Sequence, residues 1–215
     1  MIRIGIELNH VVRNVNKQIL KYYQKDIDQS LDLDEIDEKD DVFKHAKFKF
    51  LTDRNEFIYI DYPFEIFASA KPMSKELPTL INNWLSDLTN YEEEYIEVSF
   101  FSLGEEALTI QSTYFFLSKI GTRVRKVVFP KDINEIAGEY DVIITANGKV
   151  LDFFDSKYHR DTYMIKIKNN TNGEYAAHKE YDSLEEVIKD EKLLEELQEF
   201  VNNKDEKNIE DGKTA

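Results

Sequence analysis

Cysteine is absent from the 215-residue chain, which excludes disulfide bonds and thiolate metal ligands and fits a reducing compartment. Glycine and proline are scarce, with 7 and 4 residues, so most of the chain is expected to form regular secondary structure. The sequence has no apolar run of about 18 residues, and its first residues lack the pattern of a signal peptide. We therefore expect no membrane span and a cytoplasmic origin.

Positive charge is also in short supply. The chain has 28 Lys and Arg against 43 Asp and Glu, a formal net charge of −15. Such a surface repels the phosphate backbone of nucleic acids, so direct nucleic-acid binding is disfavoured. The one basic cluster, Thr122–Lys126, is interpreted as a polar edge leading into a strand. The acidity allows attraction to a basic protein partner without identifying one.

The apolar residues that are present indicate an α/β fold. A short apolar run at residues 2–8 predicts the first strand, and apolar residues with helical spacing follow at 14–27. From residue 95 onward strands alternate with helices, which predicts a parallel sheet covered by helices on both faces. We expect a three-layer parallel sheet of Rossmann type with a small α+β insertion after the first strand.

The domain organisation follows from the same pattern. We predict a core domain of residues 1–25 and 91–202, a cap-like insertion of residues 26–90 and a polar C-terminal tail of residues 203–215. Within the insertion, residues 48–68 are predicted to form a hairpin. Their aromatic row is interpreted as insertion core, or as a contact surface if it is exposed. Polar tails of this kind are usually disordered unless a neighbour holds them.

Several short patterns predict helix ends. Ser102 and Glu105 have the spacing of a capping box, as do Ser183 and Glu186, the latter before a helix predicted to run to residue 203. Ser74 is a predicted N-cap, and Gly121 is expected to end the helix before it.

Two metal-binding patterns are not supported by the sequence. Residues 26–41 contain nine Asp or Glu, but a calcium loop needs a glycine at its sixth position and none occurs. This stretch is therefore interpreted as a solvated excursion. The four histidines, at positions 10, 45, 159 and 178, have no spacing that forms a pair of zinc ligands.

Ligands of parallel α/β sheets bind at the carboxyl ends of the strands. The predicted strand ends are Glu7–Asn14, Ser99–Ser102, Pro130–Asp132 and Thr145–Asn147. We expect these four segments to meet at one edge of the sheet.

These strand ends, with an insertion after the first strand, resemble the haloacid dehalogenase-like superfamily of phosphatases. The family opens with Asp-x-Asp-Gly-(Thr/Val)-Leu-x-Asp, and the matching stretch here is ELNHVVRN. The resemblance implies that Glu7 stands in place of the aspartyl nucleophile and Asn9 in place of the general acid/base. His10 replaces the glycine, and Asn14 replaces the later aspartate.

The remaining motifs of the resemblance are also incomplete. Ser99 or Ser102 matches the second motif, a Ser or Thr at a strand end, and Lys131 matches the lysine of the third. The fourth motif has one or two acids, whereas Thr145–Asn147 contains none. The resemblance covers residues 1–24 and 95–170 and, in this degenerate form, is of a type associated with bacteriophage genomes.

The missing groups predict a vestigial site, made of Glu7, Asn9, Ser102, Lys131 and Asn147, with no catalytic residue. Glutamate is one methylene longer than aspartate, and a misplacement of about 1 Å can cost roughly 10²-fold in rate. The amide of Asn9 cannot protonate a leaving alcohol. No cofactor and no metal site are expected, beyond a weak magnesium contact at Glu7. Structural interpretations stay open: Glu7 and Asn9 as loop caps, Glu7 paired with Lys131, or Ser102 as a helix cap.

Three functions compete. The first is a catalytically inactive protein that acts as a structural or interaction component of a homo- or hetero-oligomeric assembly, with a bacteriophage virion as one setting. The second is a magnesium-dependent phosphatase or nucleotidase that uses Glu7. The third is a non-catalytic ligand sensor, which predicts thermal stabilisation by a ligand without turnover.

Overall fold

The computed structural model describes residues 1–37, 39–89, 95–158 and 161–212. His159, the predicted domain boundary at residues 90–91 and the last three residues of the predicted tail lie outside the described residues. The strands are β1 (Ile2–Glu7), β2 (Arg13–Asn14), β3 (Lys71–Pro72), β4 (Ile96–Phe101), β5 (Lys126–Val128), β6 (Val142–Thr145), β7 (Tyr163–Ile167) and β8 (Lys179–Tyr181). The α-helices are α1 (Val15–Asp26), α2 (Val42–His45), α3 (Leu51–Glu56), α4 (Leu77–Thr89), α5 (Ala107–Ile120), α6 (Gly148–Tyr158), α7 (Leu184–Lys189) and α8 (Leu193–Gly212).

Six of the strands form one parallel sheet in the order β5-β4-β1-β6-β7-β8. Strand β1 is central, with Ile4 paired to Val98 of β4 on one side and to Val142 of β6 on the other. Strand β8 is not predicted from the sequence, because its three residues, Lys-Glu-Tyr, contain no apolar run. The carboxyl ends of β1, β4, β5 and β6 therefore lie side by side, as predicted.

Helices cover both faces of this sheet. Consecutive strand residues point to opposite faces. Ile144 packs in a cluster with residues of α4, α5, α7 and α8, whereas Ile143 packs with residues of α6. The predicted three-layer α/β architecture is confirmed.

The insertion after β1 is helical where a hairpin is predicted, so the hairpin prediction is wrong. Residues 51–68 contain α3 and two short π-helical segments, Phe57–Asp61 and Phe64–Ala68. Aromatic and β-branched residues favour strands, which explains the error. The neighbours Phe57 and Ile58 are both buried, however, and the alternation of a strand is missing. Among the described residues, the strand content of the insertion is limited to β3, which pairs with β2.

A second hydrophobic cluster lies in the insertion and extends to α1. Val15 and Ile19 of α1 pack there with Val42 and Phe57. Helix α4 instead contributes Leu77 to the cluster on the sheet. The helix after the first strand thus packs with the insertion.

The helix ends test the capping predictions. Ser183 accepts a hydrogen bond from the backbone N–H of Glu186, and Ser74 accepts one from Leu77, as expected. Gly121 ends α5 with φ of 68°, a left-handed conformation that suits glycine. The helix predicted from Ser183 to residue 203 is broken at Asp190 into α7 and α8. Helix α8 continues to residue 212, in the region predicted as a tail.

The predicted cap at Ser102 is wrong. Helix α5 begins at Ala107, and its N-cap residue, Glu106, makes no side-chain capping bond. The hydroxyl group of Ser102 donates to Glu105 Oε1 at 2.6 Å, so the capping-box spacing reflects a side-chain contact in the turn before the helix.

Candidate functional site

Glu7 ends strand β1 in a buried position, with 3% of its surface exposed. Its carboxyl group accepts hydrogen bonds from Thr145 Oγ1 and, at 3.4 Å, from Asn147 Nδ2. Burial raises the pKa of Glu7 to about 7, because the charged form loses its hydration, and the two hydrogen bonds act in the opposite direction. The side chain that the sequence resemblance matches to the nucleophile is therefore partly protonated at neutral pH and contacts neutral groups.

Asn9 lies two residues later and is fixed by two side chains. Its Nδ2 donates to Ser102 Oγ at 3.2 Å, and its Oδ1 accepts from Arg13 Nε at 2.7 Å. The amide is thus oriented by contacts within the protein on both of its polar atoms.

Arg13 is the centre of a buried polar network that the sequence pattern does not predict. Its guanidinium group forms an ion pair with Glu105 and donates to Thr113 Oγ1 at 2.6 Å. Thr113 in turn donates to Glu105 Oε2 at 2.7 Å. The guanidinium also lies 4.9 Å from the ring centroid of Phe67 in the insertion and 5.7 Å from that of Phe116 in α5. The network therefore links the segment after β1, the insertion and the sheet.

His10 has a left-handed backbone conformation, with φ of 67°. This is uncommon for a residue other than glycine, and histidine is among the residues that tolerate it better. Its backbone N–H donates to the carbonyl oxygen of Arg13 at 2.9 Å. Burial, together with the positive charge of Arg13, lowers the pKa of His10 to about 4, so the imidazole is neutral at neutral pH.

No protein-family model and no curated protein matches the sequence. Among solved structures, one from Burkholderia xenovorans described as a haloacid dehalogenase-like hydrolase matches this chain with a TM-score of 0.55. The chains are 7% identical, and the match covers 88% of this chain and 96% of the other. This chain has the haloacid dehalogenase-like fold. At that identity the likeness concerns the fold and carries no activity with it.

The haloacid dehalogenase-like fold brings four of the five predicted site residues into direct contacts. Asn9 meets Ser102, and Glu7 meets Asn147. Lys131 is exposed in the loop after β5, where its backbone N–H donates to Glu135 Oε2 at 2.9 Å, and among the described residues it forms no ion pair with Glu7. The alternative that Glu7 pairs with Lys131 is therefore wrong.

Two further residues matched by the resemblance, Asn14 and Ser99, take part in secondary structure. Asn14 caps α1, since its side chain accepts a hydrogen bond from the backbone N–H of Lys17 at 3.0 Å. Ser99 is buried in the middle of β4, paired with Gly5 and Lys126 of the neighbouring strands, rather than at the strand end.

A pocket of about 590 Å³ opens between the insertion and the carboxyl ends of β1, β6 and β7. The side chain of Asn170 bridges the two walls, because it donates to Asp40 Oδ1 of the insertion at 2.7 Å. The pocket lining includes four cationic side chains, three carboxylates and amide groups on both walls. They are Lys39, Arg54, Lys149, Lys168, Asp40, Asp41, Asp182, Asn14, Asn16, Asn147 and Asn169.

Magnesium is the ion that the haloacid dehalogenase-like fold implies, and the donor set here does not fit it. The ion prefers an octahedral oxygen cage with one or two carboxylates. The Glu7 carboxyl is turned to Thr145 and Asn147, and the Asn9 oxygen is turned to Arg13. Across the described residues, no group of three or more His, Asp or Glu side chains is placed to hold a metal ion.

One further finding concerns membranes. Of the helices within the described residues, none has the length and apolar character needed to cross a bilayer.

Proposed function

We propose that the chain is a catalytically inactive protein with the haloacid dehalogenase-like fold and that it acts as a structural or interaction component of a larger assembly. The observation that carries the first half is the state of Asn9. It stands at the general acid/base position, it is an amide, and both of its polar atoms are engaged by Ser102 and Arg13. An amide cannot give a proton to a leaving alcohol.

The surroundings of Glu7 support the same proposal. A nucleophilic carboxylate has to be ionised and free to reach a phosphorus atom. Burial favours the protonated form of Glu7, and its oxygens accept hydrogen bonds from Thr145 and Asn147.

An exposed apolar surface supports the second half. Ile60, Phe64, Tyr114 and Phe115, here termed the aromatic face, are each about half exposed or more. Phe64 of the insertion and Phe115 of α5 are in contact, with ring centroids 5.2 Å apart, so exposed residues of the two parts meet at this point. Contiguous exposed aromatic residues are typical of protein-binding surfaces. A bacteriophage virion is the setting that the sequence resemblance suggests for this assembly.

The test of inactivity is hydrolysis of para-nitrophenyl phosphate in the presence of magnesium, for the natural chain, Glu7→Gln and the exposed surface variant Lys75→Gln. We expect the three rates to be equal to each other and to the buffer blank. A rate that survives in Lys75→Gln and is lost in Glu7→Gln would show an enzyme and overturn the proposal.

A second candidate, a non-catalytic ligand sensor, is favoured by the pocket of about 590 Å³, whose lining has four cationic side chains, three carboxylates and several amides. A ligand that binds only the folded state raises the midpoint of thermal unfolding. Thermal unfolding with inorganic phosphate and with a nucleoside monophosphate tests this candidate. The sensor candidate requires that the midpoint of thermal unfolding rises with ligand concentration. The rise should be smaller in Lys149→Gln and the same as in the natural chain in Lys75→Gln.

A further inference from the structure

A groove of about 420 Å³ lies at the end of the sheet opposite the pocket. It is lined by Ile96, the first residue of β4, and by Lys126, the first residue of β5, and these parallel strands both begin at this edge. Arg123 and Arg125 precede β5 and line the same groove. The groove therefore contains all three positive residues of the one basic cluster in a chain of net charge −15.

Two of the three cations of the groove are available to a ligand. Arg123 and Arg125 are exposed, and within the described residues neither side chain has a hydrogen-bond or ion-pair partner. Lys126 is half exposed and is paired with Glu97 at 3.3 Å. The backbone that carries the two arginines is held in place, because Asn82 donates to the carbonyl oxygen of Gly121 and accepts from the N–H of Arg123.

The complementary surface is the acidic excursion in the insertion, here termed the acidic loop and defined as residues 28–37. Its apolar side chains, Leu31, Leu33 and Ile36, pack against the insertion cluster. The acids between them, Asp32, Asp34 and Glu35, are exposed. The loop thus presents its carboxylates outward from an anchored backbone.

The groove and the acidic loop cannot meet within one molecule. The acidic loop lies near the carboxyl end of β7, because Asn170, which follows that strand, donates to Asp37 Oδ2 at 3.3 Å, whereas the groove lies at the amino ends of β4 and β5. The six residues of β1 separate the two edges by roughly 20 Å. A contact between the two surfaces is therefore a contact between copies, and it joins different patches of the two partners.

We propose that the basic groove binds the acidic loop of a second copy of this chain, so that copies associate head to tail. Such a heterologous contact forms a ring if the rotation closes and a filament if it does not. This inference rests on the proposed function, which requires an assembly, and it names the chain itself as the partner. The net charge of −15 opposes association, and the local pairing of opposite charges offsets that repulsion.

The experiment is sedimentation velocity of the full chain at rising concentration and low salt. One variant, Arg123→Glu/Arg125→Glu, reverses the charge of the groove. The other, Asp32→Lys/Asp34→Lys/Glu35→Lys, reverses the charge of the acidic loop. We expect each variant alone to associate roughly 100-fold more weakly than the natural chain, because like charges then face each other. A mixture of the two should associate again, since each reversed surface meets its complement in the other variant.

The control is Lys75→Glu/Lys192→Glu, which makes the same change of net charge as the groove variant at exposed positions outside the groove. It should associate like the natural chain. A natural chain that stays monomeric, or association that the groove reversal leaves unchanged, overturns this inference and leaves the proposed inactive component standing with another partner or surface. Magnesium-dependent turnover that requires Glu7 is the separate result that overturns the proposed function.

Discussion

Arg13 and Glu105 form an ion pair in which neither side chain is exposed by more than 1%. The pair joins the segment after β1 to the turn before α5, and the guanidinium contacts Phe67 of the insertion. A charge inside a protein is stable only when a partner and hydrogen bonds replace its lost hydration. The pair, together with Asn9 and Thr113, therefore fixes the arrangement of the insertion against the sheet.

Replacement of Arg13 tests this arrangement. We expect Arg13→Met to lower the free energy of unfolding by about 3–5 kcal/mol, because Glu105 is left buried without its partner. Urea denaturation measures the loss. The control is Lys168→Met, which breaks the exposed pair with Asp182 and should cost at most about 1 kcal/mol.

The double variant Arg13→Met/Glu105→Leu separates the charge from the packing. Replacing both members of a buried pair with apolar residues of similar volume is often neutral. The hydroxyl groups of Ser102 and Thr113 lose their acceptor in this variant, so a part of the loss should be recovered. A double variant as unstable as Arg13→Met alone would contradict the explanation by the unpaired carboxylate.

Gly5 tests the packing of the sheet. A Cβ atom at this position would lie 2.8 Å from the ring of Tyr140, which is itself buried and stacked on Phe101. We expect Gly5→Ala to reduce stability by about 1–3 kcal/mol, because the ring has no room to move. Gly173→Ala is the control, since no atom lies within 4 Å of its Cβ position, and it should change stability little. Equal urea midpoints for the two variants would disprove the steric account.

Glu7 predicts an unusual dependence of stability on pH. Its pKa is about 7 in the folded chain and near 4.5 when unfolded, so the folded state binds the proton more tightly. Between these values the stability that this group contributes falls as pH rises, by on the order of 3 kcal/mol in total. The Glu7→Gln variant lacks this titration. The free energy of unfolding of the variant, relative to that of the natural chain, should therefore increase from pH 4.5 to 7. Urea denaturation across this range measures the difference, and a constant difference would show that Glu7 titrates normally.

The sequence was sufficient for the sheet but not for the network within it. The apolar run of β1 and the later alternation of strands and helices predict the parallel sheet and the meeting of Glu7 with Asn147. Arg13 and Glu105 are 92 residues apart, and only the folded sheet brings them together. Ser102 and Glu105 are in contact, as their spacing suggests, but Glu105 is the ion-pair partner of Arg13 and the contact does not cap a helix. The spacing of residues along the chain predicts which neighbouring side chains can be in contact. It does not predict which distant side chain they bind.

The hairpin error has a similar origin. The residues from 57 to 67 are rich in Phe, Tyr and Ile, which have high strand propensity. Their structure is decided by tertiary packing, since Phe57 and Ile66 bury against α1 in the insertion cluster. Propensity without knowledge of that partner surface favours the wrong element.

His10 predicts a pH dependence opposite in sign to that of Glu7. Its pKa is about 4 in the folded chain and near 6.5 when unfolded, so the unfolded state takes up the proton first as pH falls. The stability that it contributes is present above pH 6.5 and is lost as pH falls toward 4. His10→Asn keeps a residue that tolerates the left-handed backbone and removes this loss. Relative to the natural chain the variant should therefore gain stability as pH falls from 6.5 to 4.5, measured by urea denaturation.

The same substitution in the Glu7→Gln background should give the same gain, because we expect the side chains of His10 and Glu7 to titrate independently. A gain that disappears in that background would show that the two titrations are coupled, and no gain in either background would contradict a neutral imidazole at His10.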